Sequence, residues 1–188
     1  MLYIQTDIKN IDYTSLLQHA LGFCDVLTLQ IPNNNKMIIN KNNNKLYPEL
    51  EIGHYEIIED LLFEVYYDNA NRLVERLFGN HIIKTILDTK YLTSIYGSER
   101  KIYLIKMSQE VVDNLRFTYS LFAWKFPFLP EDICLFSEDK CWLHSIAHEE
   151  ICWGYDNSKD IKSILKKMKI KFFEEQDLDT IMLNEFEY

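Results

Sequence analysis

Cys141, His144, His148 and Cys152, with Cys134 upstream, come nearest in this chain to a metal-ligand set. On a helix, at about 100° per residue, the four side chains fall within about 80° of one face. Cys141 and Cys152 then stand roughly 16 Å apart along the axis, so one ion cannot take all four. On a strand, His144 and His148 share a face, but their Cα atoms lie roughly 13 Å apart. Zinc ligands sit about 2.0–2.1 Å from the ion, and that separation is too wide for chelation. Only a helical turn over 145–149 would pair the two rings. A strand across 141–147 therefore predicts no metal and no cofactor, with both histidines serving packing and hydrogen bonding.

Other chemistries find less support. His148-Glu149-Glu150-Ile151-Cys152 matches the first half of a zincin motif, but Cys152 stands where the second histidine is required. No Gly-x-Ser-x-Gly elbow occurs, and with 5 Gly in the chain neither a Walker loop nor a dinucleotide fingerprint can be written. A Cys–His nucleophile pair has no local signature here. Adjacent carboxylates (Glu59 and Asp60, Glu149 and Glu150, Glu174 and Glu175) are what an acidic surface ordinarily carries. No catalytic residue is expected. The enzymatic alternative is a small hydrolase or metal-dependent enzyme built on His144, His148 and nearby carboxylates.

Charge narrows the partners. The 188 residues carry 20 basic and 29 acidic side chains, a net of −9. Counterion release needs clustered Lys and Arg, so a nucleic-acid partner is not expected. Residues 46–80 hold eight acidic residues against two basic, and residues 131–188 hold fourteen against seven. Such blocks ordinarily solvate a surface. The sharper reading is an electrostatic mould for a basic partner. Ordinary hydrophobic content (47%) and 14% aromatics are enough to bury a core, and no apolar run approaches the roughly 20 residues of a membrane span. The opening Met1-Leu2-Tyr3-Ile4-Gln5-Thr6-Asp7 reaches a charge too early for a secretory signal. A cytoplasmic protein with reduced thiols is expected, from an AT-rich bacterial or phage genome, given 16 Lys against 4 Arg.

These residues need elements to hold them. Leu2–Ile4 reads as a strand. A helix follows from Asp12 to Gly22, carrying Leu16, Leu17, Ala20 and Leu21, and then a strand over 25–31 ended by Pro32. The Asn runs at 33–35 and 42–44 read as turns around a short strand at 37–39. Residues 55–78 form a long helix with Ile58, Leu61, Leu62, Val65, Tyr66, Leu73 and Leu77 inward and Gly79 as its stop; a break near Asp68-Asn69 is allowed. A hairpin is expected from 91–96 to 101–106 around Gly97. Ser108 caps a second long helix through Val111, Val112, Leu115, Tyr119 and Phe122. A second hairpin, 133–136 to 141–147, precedes a last helix at 158–168. The fold is α+β: a mainly antiparallel sheet with two long helices and shorter ones packed on it. It forms one domain over 1–188, with room for a smaller N-terminal lobe at 1–50.

The stretch from Pro130-Glu131-Asp132 through Cys141-Trp142-Leu143 to His148-Glu149 resembles a segment of small bacterial toxin-immunity proteins. Its marks are a proline-acidic start, a strand, a polar turn, a Trp-Leu strand and a His-Glu ending. The resemblance implies an immunity-type binding protein and assigns no functional residue. The function expected is a protein-binding inhibitor that neutralises a basic toxin, the alternative partner being a host defence protein met by a phage inhibitor. The candidate contacts are Glu56, Glu59, Asp60 and Glu64, three to five positions apart on one helix and so mostly on one face. Trp124 and Trp142, in an aromatic-rich stretch that also holds Phe117, Phe126, Phe128 and Trp153, are candidate anchors.

Overall fold

The computed structural model describes residues 1–32, 52–88, 100–155 and 161–174; over 52–63 and at 88 it describes the backbone alone. Eight strands make one sheet: β1 (Leu2–Ile4), β2 (Val26–Pro32), β3 (Ile82–Asp88), β4 (Arg100–Lys106), β5 (Glu131–Ser137), β6 (Lys140–Ile146), β7 (Ile151–Gly154) and β8 (Phe173–Glu174). Their order is β3-β4-β2-β5-β6-β7-β1-β8, and every adjacent pair is antiparallel. β1 lies between β7 and β8, and β2 lies between β4 and β5, so the described part of residues 1–50 is woven into the same sheet as the rest. No helix among the described residues is long and apolar enough to cross a membrane.

The α-helices among the described residues are α1 (Asn10–Ala20), α2 (Ile52–Phe78), α3 (Gln109–Leu115) and α4 (Ile161–Lys167). Strand alternation explains where they pack. Leu27, Leu29 and Ile31 of β2 belong to the main core, with Leu16 and Leu17 of α1, Val74 and Phe78 of α2, Val111 and Leu115 of α3, and Ile161 and Leu165 of α4. Each such aliphatic side chain contributes about 1.5–3 kcal/mol on full burial. The alternate residue Val26 packs with a smaller cluster of Ile102, Cys134, Phe136, Cys141 and Tyr155, to which no described helix contributes.

Several elements depart from the sequence expectation. The fold is α+β and antiparallel, but only α2 is long. The expected second long helix ends at Leu115, although Ser108 does cap it, accepting from Val111 N at 3.2 Å. Phe117, Thr118 and Tyr119 are poor helix formers, and the backbone beyond is taken by the N-terminal segment: Asn10 N donates to Tyr119 O and Leu121 N to Ile8 O. Tyr119 is consequently exposed, not on an apolar helix face. α1 begins two residues before Asp12, with Lys9 at the N-cap position and no side-chain cap bond. α2 runs through Asp68-Asn69 without a break.

β3 is a strand without a clear period-two pattern, since Ile82-Ile83 and Ile86-Leu87 come as pairs. β4 has β2 on one side and β3 on the other. The hairpin strand expected at 91–96, like the turns and short strand expected at 33–45, lies outside the described residues. The 133–136/141–147 hairpin is present as β5 and β6.

Candidate functional site

Glu131 and Asp132 open β5. In a regular strand, neighbouring side chains point to opposite faces, so adjacent carboxylates cannot share a site. Here the register between β2 and β5 shifts: Thr28 pairs with Cys134, whereas Gln30 pairs with Glu131. The extra residue forms a bulge, and Asp132 sits at φ 60°, a left-handed conformation that Asp tolerates better than most residues. The bulge turns both carboxylates to one place. His148 reaches the same place from the turn between β6 and β7. One ligand atom from each of Glu131, Asp132 and His148 lies within 4.8 Å of the other two.

The supports are buried. Asp132 is 0% exposed; its Oδ1 accepts from Ala147 N at 2.8 Å, and its Oδ2 accepts from Gln30 Nε2 at 2.5 Å. Glu131, 5% exposed, forms a short ion pair with Nη1 of Arg100, the first residue of β4, which is 7% exposed. The Nε of Arg100 is buried and has no hydrogen-bond partner among the described residues. A buried donor left without an acceptor costs about 1–3 kcal/mol. His148 is on the solvent side, with Glu149 3.8 Å away. The arrangement offers two oxygen donors and one imidazole, anchored by three strands and open at one side.

His144 belongs to another environment. It lies inside β6, 3% exposed, stacked on Trp153 with ring centroids 5.4 Å apart, and its Nε2 has no partner. Burial pushes its pKa down from 6.5 to about 3. The two histidines thus occupy a strand and the turn beyond it, and only His148 joins the carboxylates. The enzymatic alternative resting on His144 and His148 together loses His144. All four cysteines are buried and none is in a disulfide. Burial pushes the Cys141 and Cys152 thiols well up, which is the reverse of what a nucleophile needs. Asp12, Ser15, His19 and Lys167 line a cleft between α1 and α4, but the Ser15 hydroxyl donates to Ile11 O at 2.7 Å, so no Ser–His pair is made there.

The expected partner contacts divide. Glu64 is exposed on α2; Glu56, Glu59 and Asp60 fall where side chains lie outside the described residues. The inward face of α2 is Ala70, Val74 and Phe78, which places Val65 outward beside Glu64, a correction to its expected core position. Trp124 and Trp142 are core residues, 0% and 3% exposed. Trp124 donates through Nε1 to the Tyr13 hydroxyl at 2.9 Å, and that hydroxyl donates to Leu115 O; burial pushes Tyr13 up to about 12. Neither indole offers a surface to a partner. Phe128 of that stretch is 77% exposed and packed edge-on against Tyr66 of α2 with centroids 5.9 Å apart.

Sequence reasoning missed Glu131, Asp132 and Arg100. The signal was present for two of them: the proline-acidic start and the His-Glu ending of residues 130–149 are the two ends of one hairpin, and antiparallel pairing brings them together. Compared with known proteins, the chain matches no family model, no curated protein and no solved structure.

Proposed function

We propose that the protein acts by binding another protein, as an immunity-type inhibitor of a basic toxin in the cytoplasm. The observation that supports this reading is the outward side of α2, where exposed Glu64 and Asp68 stand beside exposed Val65, while exposed Phe128, edge-on against Tyr66, borders the opposite flank of the helix. Clustered acids accelerate encounter with a cationic partner, and an exposed aromatic supplies the apolar anchor that fixes it. Glu56, Glu59 and Asp60 extend the acidic row toward the helix start by sequence spacing. A toxin that cleaves nucleic acid presents a basic active site, the chemistry this row complements. Inhibition of a host defence protein by a phage would use the same surface, and the neighbouring genes distinguish the two.

Co-expression with each neighbouring gene product that arrests growth is the test. A stable complex and restored growth, both lost in Phe128→Ala combined with Glu64→Lys, support the reading. Growth arrest undiminished by the wild-type protein, with no complex on size exclusion, overturns it. A second reading, metal-assisted hydrolysis, is favoured by the meeting of Glu131, Asp132 and His148; it draws on the pair of carboxylates and one histidine, not on two histidines.

A further inference from the structure

We infer that Glu131, Asp132 and His148 form a binding site for one divalent transition-metal cation, independent of the α2 surface. The donor set is mixed, two carboxylate oxygens and an imidazole nitrogen, which suits Zn²⁺ or Mn²⁺ better than an all-oxygen cage would. The three residues come from two elements, a strand bulge and the turn after the adjoining strand, so their meeting is a product of the fold and not of local sequence.

Size fits with a small adjustment. Two ligands each about 2.1 Å from an ion stand at most about 4.2 Å apart. The observed span of up to 4.8 Å therefore closes by about half an ångström, a movement the exposed His148 side chain supplies. The carboxylates are already held: Ala147 N and Gln30 fix Asp132, and Arg100 fixes Glu131. These are the outer contacts that orient metal ligands.

Arg100 supplies an independent observation. Its side chain is more than nine-tenths buried, one nitrogen engages Glu131, and Nε–H has no acceptor. A buried donor left without an acceptor, on the same guanidinium that engages Glu131, calls for an oxygen that the described residues do not provide. Water or an oxyanion carried by a cation at Glu131 and Asp132 is such an oxygen. Three protein ligands leave coordination positions open for it on the solvent side.

The test is titration of the purified full chain, metal-stripped, with Zn²⁺ and separately with Mn²⁺, read by calorimetry and by Mn²⁺ electron spin resonance. One equivalent of at least one ion is expected to bind, weakened about tenfold or more in His148→Ala and in Glu131→Gln, and unchanged in His19→Ala on α1. His148 is exposed, so its variant keeps the fold, and an unaltered melting temperature establishes that. Absence of saturable binding by either ion overturns the inference, as does binding that His148→Ala and Glu131→Gln leave intact. The titration needs no partner protein, so its failure is separate from failure of the inhibitor reading.

Discussion

Two acidic regions of this chain use charge in opposite ways. Along α2, Glu64 and Asp68 stand in solvent, where a charge is cheap to keep and its influence reaches outward. At the start of β5, Glu131 and Asp132 are buried, and each is tied to named donors: Arg100 for one, Gln30 and Ala147 N for the other. The first region can lose a carboxylate with little harm to the fold but with a change in what approaches it. The second cannot lose one without leaving a buried partner stranded. Charge composition treats the two blocks alike; burial separates them.

The largest effect that sharpens this contrast comes from the buried side of the sheet. His144 is held at about 3 against an ordinary 6.5 by burial, so the unfolded chain takes up this proton first as pH falls. The stability concerned is full above about pH 6.5 and is lost progressively down to about pH 3, approaching about 5 kcal/mol at the acid limit. Urea unfolding between pH 7 and pH 4 measures it, and His144→Leu is expected to flatten the slope. An unchanged slope would mean that the ring is hydrated.

Next in size, Glu131→Ala strands the Arg100 guanidinium and is expected to destabilise by about 3–5 kcal/mol. The double change Glu131→Leu with Arg100→Leu, which removes both charges, is expected to recover most of that loss. Asp132→Asn keeps the shape but weakens acceptance from Ala147 N or Gln30, and should cost about 1–3 kcal/mol by the same measurement. The smallest stability effect belongs to the surface: Glu64→Lys with Asp68→Lys should shift unfolding by no more than about 0.5 kcal/mol. A loss there comparable to that of Glu131→Ala would break the comparison.

Much of the scaffold was legible. Period-two alternation and Pro32 marked β2, the polar turn at 137–140 marked the β5–β6 hairpin, and Ser108 marked the start of α3. The misreadings have physical causes. Tyr119 and Phe122 keep helical spacing from Leu115, but Ile8 and Asn10 claim the backbone of that segment, and no local pattern reports a contact more than a hundred residues away. β3 hides because its apolar residues come in pairs. Trp124 looks like an interface anchor by type, whereas its indole N–H is satisfied internally by Tyr13. The carboxylate site depends on a single bulge: without the register shift at Asp132, Glu131 and Asp132 would face apart, as adjacent strand residues do. Spacing could bring His148 toward the start of β5, but it could not supply that turn of the backbone.

In the proposed mode of action, the exposed acids of α2 steer a cationic partner while the buried acids do not. Stopped-flow association of the purified protein with the toxin proposed as its partner, repeated across ionic strengths, tests this most directly in wild type and in Glu64→Lys with Asp68→Lys. The account predicts association slowed by about tenfold at low salt in the variant, with a shallower salt dependence and unaltered stability. An association rate and salt dependence identical to wild type would contradict it.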